Sequence, residues 1–303
     1  MSMYRIVGQQ IINGKKIGGV LLSGKRIDDA WDLSIFEANG HREVSARPVI
    51  EWTDLGDAEE HLDACGNPVP DLVATPEEIE DLKHRYLKQA AGRATTKCRR
   101  IIKASSFNEM LTITYRENQT DRELCKKHFK EWVRRMKNAL PEFQYCAAFE
   151  KQERGSMHVH VATHKLPTMA QYKGVKIEAW KLGTRIWRSI VGPDNGLVFV
   201  GGKPRWGKGR QRKLSAAKMA AYVSKYIMKD YGESPSGSNR YSRSNDIDPP
   251  KPTHIRLVGC TIDQLPGVVY ERSEGSVVVS HRIGRWNDSY WLCTEPDIQV
   301  FGR

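Results

Sequence analysis

Apolar spacing divides the chain into strands and helices. From residue 1 to about 54 the apolar positions come in short runs separated by turn residues. In "IINGKKIGGVLL" the pair Asn13-Gly14 is a hairpin signal, so short strands and turns are predicted there. Residues 55–74, "LGDAEEHLDACGNPVPDLVA", are acidic and hold two prolines, and they read as a linker or solvated loop. A helix is predicted over "TPEEIEDLKHRYLKQAAGRATTKCRR": Thr75 suits the N-cap, Pro76 the first helical position and Glu78 the capping-box position. "LTITYREN" (111–118) alternates, with Leu111, Ile113 and Tyr115 on one face and Thr112 and Thr114 on the other. The next helix takes Thr120 and Glu123 as its capping box. Its apolar stripe is Phe129, Trp132, Val133, Met136 and Leu140, and Pro141 stops it. "FQYCAAFEKQERGSMHVHVATH" predicts a hairpin turning at "KQERGS". A further helix is expected at "SAAKMAAYVSKYIMKDYGES", with Ser215 as its cap and Gly232 as its stop. "SPSGSNRYSRSND" reads as a flexible polar segment, and runs such as "GSVVVSHRI" after Thr253 predict a small β-rich extension.

These patterns give four stretches: an N-terminal segment with its acidic linker (1–74), a basic helix (75–104), a mixed strand-and-helix domain (105–250) and a β-rich extension (251–303). The composition is that of a folded protein, 39% hydrophobic and 28% charged over 303 residues. Lys and Arg outnumber Asp and Glu by 48 to 36, a net charge of +12, which favours a polyanion: nucleic acid first, an anionic membrane surface second. The basic half of the 75–104 helix (Lys83, Arg85, Lys88, Arg93, Lys97, Arg99, Arg100, Lys103) suits either a phosphate backbone or a solvated helix end. In "GGKPRWGKGRQRK" (201–213), Gly202 and Gly207-Lys208 have P-loop spacing. The P-loop reading fails because Gly209 stands where Ser or Thr is needed and Pro204 and Arg205 fall inside the loop, so no ATPase motor is evident. Arg205, Trp206, Lys208, Arg210, Arg212 and Lys213 suit single-strand contact by charge and stacking, with a solvated loop as the alternative. Six scattered cysteines without a Cys-x-x-Cys read as free thiols in a reducing compartment. With no signal pattern and no run of 18 apolar residues, the expected location is the cytoplasm.

The chemistry concentrates in the hairpin and the helix after it. On a strand, Met157, Val159 and Val161 point to the core, and His158, His160, Ala162 and His164 point the other way. Two imidazoles side by side can hold one divalent cation, and Glu150 on the preceding strand can reach the same face. Such a set suits Mg²⁺ or Mn²⁺ with positions open for a phosphate. A pair of surface histidines is the competing reading. In "KMAAYVSKYIMK", Lys218, Tyr222, Lys225, Tyr226 and Lys229 share one helical face, opposite Ala220, Val223 and Ile227. The lysines argue against burial of the tyrosines. They also supply the positive charge a phenol needs to act as a nucleophile, and Lys225 can bind a phosphate oxygen.

"ERGSMHVHV", with "LTITY" upstream and "YVSKYIMK" downstream, resembles the motifs of the HUH endonucleases, in their order and over roughly residues 85–232. The nearest likeness is to the two-tyrosine rolling-circle replication initiators of single-stranded DNA phages. The resemblance implies an α+β fold, a central antiparallel sheet carrying the metal site with helices packed against it. It implies His158, His160 and Glu150 as ligands of Mg²⁺ or Mn²⁺, Tyr222 and Tyr226 as nucleophiles, and Lys225 at the phosphate. The implied reaction nicks and rejoins DNA through a 5′-phosphotyrosine. Of the two tyrosines, Tyr222 is favoured if one acts alone. Implied partners are single-stranded DNA, the origin duplex, and a host helicase with host replication proteins. Contacts to DNA are expected from the 201–213 residues named above and from Lys218, Lys229, Arg99 and Arg100. A relaxase or transposase would use the same residues. A non-catalytic nucleic-acid-binding regulator would explain the charge but not the site. A cupin-type enzyme is excluded because "VATHKLPTMAQYK" after His160 carries no acid.

Overall fold

The computed structural model describes residues 3–8, 10–12, 15–57, 76–201, 215–229, 231–232, 239–271, 276–285 and 288–297. In chain order the first elements are β1 (Met3–Val7), β2 (Gln10–Ile12), β3 (Lys15–Ile17), β4 (Val20–Ala38), β5 (His41–Asp57), α1 (Pro76–Ala104), β6 (Glu109–Thr114) and α2 (Arg122–Ala139). Then come β7 (Tyr145–Lys151), β8 (Met157–Thr163), β9 (Met169–Tyr172), β10 (Val175–Glu178), α3 (Ala179–Val191), β11 (Leu197–Val200) and α4 (Ala216–Lys229). The last are β12 (Tyr241–Arg243), β13 (Thr253–Val258), α5 (Leu265–Glu271), β14 (Ser276–Ile283) and β15 (Tyr290–Pro296). The class is α+β with antiparallel sheets, and the residues form two compact units, Met1–Tyr86 with Lys251–Arg303, and Leu87–Pro250.

In the first unit both chain ends enter one sheet, ordered β1-β4-β5-β15-β14, with β13 also pairing β4. Short N-terminal strands were expected, yet β4 runs for 19 residues and β5 for 17. The register shifts between Arg26 and Trp31, and a bulge there breaks the alternation so that each half reads as a separate strand. The hairpin turns at Asn39 and Gly40, both at positive φ. The conformation favours Asn-Gly, and a Cβ on Gly40 would press on Pro296. β5 also takes in residues 55–57, assigned above to the acidic linker, and 58–75 lie outside the described residues, Thr75 among them, as does the side chain of Glu78. β2 and β3 pair across positions 13 and 14, which lie outside the described residues themselves. One sheet face is covered by α5, through Trp31, Leu33, Val44, Leu265, Val269, Tyr290 and Leu292.

The second unit holds a five-stranded antiparallel sheet, ordered β11-β6-β8-β7-β12. β7 and β8 are the expected hairpin, with Glu150 opposite His158 and Ala148 opposite His160. Helices cover both faces. On one, Phe129, Trp132 and Met136 of α2 and Leu182, Ile186 and Trp187 of α3 pack on Leu111, Ile113, Met157, Val159 and Val161. On the other, Ala91, Cys98, Ile101 and Ile102 of α1 and Met219, Ala220, Val223 and Ile227 of α4 pack on Cys146, Ala148 and Ala162. Each such buried aliphatic side chain stabilises by about 1.5–3 kcal/mol, so packing rather than helix propensity holds α4 in place. Trp187 Nε1 donates to Thr114 O at 3.0 Å and pins the end of β6. A Cβ on Gly196 (φ 121°) would collide with that same carbonyl, so the chain enters β11 through glycine.

Asp121, not Thr120, caps α2: its Oδ1 accepts from the amides of Glu123 at 2.8 Å and Leu124 at 3.0 Å. Asp121→Ala is expected to cost about 1 kcal/mol of stability, read from urea unfolding, whereas Thr120→Ala costs little. Lys103, counted above with the basic face of its helix, is buried at 1% exposure. The five described cysteines are free, as expected, and Cys98 and Cys146 lie Sγ to Sγ at 3.5 Å. No described helix is long and apolar enough to cross a membrane.

The charge divides sharply between the units. The second carries 33 Lys and Arg against 14 Asp and Glu, a net +19, and the first 15 against 22, a net −7.

Candidate active site

The site grows from one row of strand positions. Antiparallel partners share a face, so pairing of Thr112 with His160, Thr114 with His158, and Glu150 with His158 puts all five residues on one side of the sheet. That side is not open to water. α4 lies against β7 and β8, and His160 is 4% exposed and Glu150 8%. The two histidines are therefore not a surface pair.

His160 sits at the centre. Its Nε2 is 2.8 Å from Glu150 Oε2, and its Nδ1 is 3.5 Å from Thr112 Oγ1. Lys229 Nζ donates to the other Glu150 oxygen at 2.9 Å. Burial of Glu150 works against its charge, but the His160 and Lys229 hydrogen bonds outweigh this and hold the carboxyl at about 2. His158 lies beside His160, with ring centroids 6.4 Å apart. Burial, and then the neighbouring imidazole, bring His158 down to about 4, so it is neutral at pH 7 and has a lone pair to give. Its Nδ1 meets the Gln152 side-chain amide at 3.2 Å, while its Nε2 is buried without a hydrogen-bond partner among the described residues. The Gln152 amide end can be turned either way. With its oxygen toward Nδ1, the His158 Nε2 lone pair is free for a ligand.

α4 brings the phenols over this row. The Tyr226 ring stacks on His160 with centroids 4.0 Å apart and planes 8° from parallel. Tyr222 meets His160 edge-on at 5.6 Å and Tyr226 at 5.3 Å. Lys225 Nζ stands 4.3 Å from the Tyr222 ring centre and 4.7 Å from that of Tyr226. Sharing a face with lysines does not keep Tyr226 exposed: it is buried at 6%, because the helix buries a broad face that takes in both Val223 and Tyr226. Burial, then the adjacent Tyr222 hydroxyl, push the Tyr226 phenol up. Tyr222 is half-buried and Lys225 exposed. Ser215 caps the helix, its Oγ accepting from Lys218 N at 3.4 Å.

These elements bring together Glu150, His158, His160, Tyr222, Lys225, Tyr226 and Lys229. Lys229 lies on Glu150 rather than in the solvent. Lys218 is exposed on α4, while Arg99 and Arg100 are half-buried on α1 and already engaged. Arg205, Trp206, Lys208, Arg210, Arg212 and Lys213 lie outside the described residues. Thr112, Thr114 and Gln152 were not singled out from the sequence; pairing the "LTITY" strand beside the "HVH" strand would have found the two threonines.

The donor types suit a divalent cation: an open, buried imidazole nitrogen, a second imidazole and a charged carboxylate. Among the described residues no three His, Cys, Asp or Glu side chains already converge as a cage, since Glu150 spends its oxygens on His160 and Lys229.

Residues 108–231 match the family of replication-associated protein ORF2. No curated protein and no solved structure matches the chain. The family match covers 124 of the 303 residues, all in the +19 unit. It runs from before β6 to just past α4, and so takes in every residue of the site built above.

Proposed function

We propose that the chain is a rolling-circle replication initiator that nicks and rejoins single-stranded DNA at an origin through a 5′-phosphotyrosine. The observation that carries this is the placement of two phenols and Lys225 directly over a buried His-Glu-His row. The match to the replication-associated family and the charge of the same unit support it.

His158, His160 and Glu150 would hold a divalent cation, Mg²⁺ or Mn²⁺, which when bound supplies Lewis-acid charge at the scissile phosphate. Tyr222 is the first nucleophile, because it is the less buried phenol and has the Lys225 ammonium beside it. Its oxygen bonds to phosphorus as the bond from phosphorus to the 3′ oxygen breaks. The phenol gives up its proton, and the leaving oxygen gains one to become a 3′ hydroxyl. One phosphodiester is exchanged for another, so the reverse step rejoins the strand. Lys225 stabilises the developing charge on phenolate and phosphate oxygens. His160 holds Glu150 in place, and the stacked Tyr226 ring excludes water from that pair.

Covalent capture tests the reading. The protein is incubated with labelled random single-stranded DNA and Mn²⁺ and resolved on a denaturing gel. A DNA adduct is expected that disappears with a chelator and falls at least about a hundredfold in His158→Ala. An adduct that survives both would remove the metal from the reaction. No adduct at all would favour a non-catalytic DNA-binding regulator.

A further inference from the structure

The site face continues to the open edge of the sheet, at β11. Leu197 pairs with Thr114 and Phe199 with Thr112, so both side chains project from the same face as His158 and His160, two strands away. At the usual strand spacing that is about 10 Å. Both are large, apolar and exposed, Leu197 at 40% and Phe199 at 41%. Around the edge they meet α3, where Trp180 is 51% exposed and Arg188 lines the same groove, of about 660 Å³. Arg185 is exposed on the next part of that wall. Arg188 donates Nε to the Gly196 carbonyl at 3.0 Å, which fixes its guanidinium beside the edge.

An exposed strand edge usually invites another strand. Here Thr184 occupies it: Val198 N donates to Thr184 Oγ1 at 3.1 Å, and that hydroxyl donates to Val198 O at 3.3 Å. A peptide adding to β11 would find both groups of Val198 taken. Exposed rings interleaved with fixed guanidinium groups, in a unit of net charge +19, instead match bases and phosphates.

We infer that the β11 edge and the outer wall of α3 form a lane for the single strand flanking the scissile phosphate. Bases stack on Phe199 and Trp180, and phosphates are met by Arg185 and Arg188. The inference rests on the single-strand nuclease reading above and adds to it where the neighbouring nucleotides run.

The test uses the full chain and 5′-fluorescein-labelled (dT)20, read by fluorescence anisotropy. Trp180→Ala and Phe199→Ala are each expected to weaken binding about tenfold, and the pair by more, while Phe199→Trp keeps wild-type affinity. Both residues are exposed, so thermal melting by circular dichroism stays at the wild-type value. A second arm replaces single thymines by 5-iodouracil and maps photocrosslinks, expected at Trp180 and Phe199. Wild-type affinity in the double variant, with crosslinks elsewhere, overturns the lane and leaves the nuclease intact if the random-pool adduct still forms. A wild-type protein that neither binds (dT)20 nor forms an adduct removes both the lane and the reading beneath it.

Discussion

Tyr222→Phe is expected to slow formation of the covalent DNA adduct by about a thousandfold or more, because it deletes the attacking oxygen and leaves the ring in place. Tyr226→Phe is expected to be much milder in the first strand cut. The difference follows from position along one helix. Both phenols face the His160 row, but Tyr226 lies flat on the imidazole and is buried, and its phenol is pushed up by that burial. Forming a phenolate there costs more than at Tyr222, which is half-buried and has Lys225 Nζ 4.3 Å from its ring centre. The double variant should give no adduct. Single-turnover kinetics on a denaturing gel decide the order: a larger loss in Tyr226→Phe than in Tyr222→Phe reverses the roles, and an adduct in the double variant removes tyrosine from the chemistry. If both phenols serve, a strand-transfer assay with a second DNA carrying the same site separates them. Tyr226→Phe would then make the first cut but fail to release a joined product.

The parts of this site that sequence reveals are those set by local period. "MHVHV" alternates, "YVSKYIMK" repeats at helical spacing, and "KQERGS" breaks the run between two strands, so the hairpin, the histidine face and the tyrosine helix all follow from neighbours within a few residues. What is buried against what does not. His160 and Tyr226 are polar residues whose burial depends on α4 crossing β7 and β8, more than fifty residues away in sequence. Lysines on both sides of the tyrosines suggest an open face, and they do reach solvent, but their length lets the ring beneath them pack. The first unit shows the same limit at longer range. β5 pairs with β15 and β4 with β13, contacts between the two ends of the chain that no window of sequence contains. The separation of charge needs only the sequence once the unit boundary is known. It places the whole positive excess with the site and leaves the sheet formed by the chain ends acidic. That assigns the polyanion to one unit rather than to the protein at large.

Glu150 is the residue on which stability and chemistry meet, and Glu150→Gln should lower both. In the folded protein its carboxyl lies near 2, against an ordinary value of 4.5, because His160 Nε2 and Lys229 Nζ each hold one oxygen. A folded value below the unfolded one means that the charged form favours folding. The contribution is full above pH 4.5 and fades as pH falls toward 2. With one partner partly in solvent, its size is about 2–3 kcal/mol. Glu150→Gln keeps the shape and removes the charge, so its urea midpoint should fall at pH 7 by that amount, and wild type and variant should converge between pH 4.5 and 2. Lys229→Met, which strips one oxygen of its donor, should lose less than Glu150→Gln at pH 7. A gap between wild type and Glu150→Gln that stays constant into acid would mean that shape rather than charge holds the pair. The adduct assay adds the second half. A carboxylate that only braces His160 makes the Gln variant slow at every Mn²⁺ concentration, whereas one that also holds the cation makes it recover as Mn²⁺ is raised.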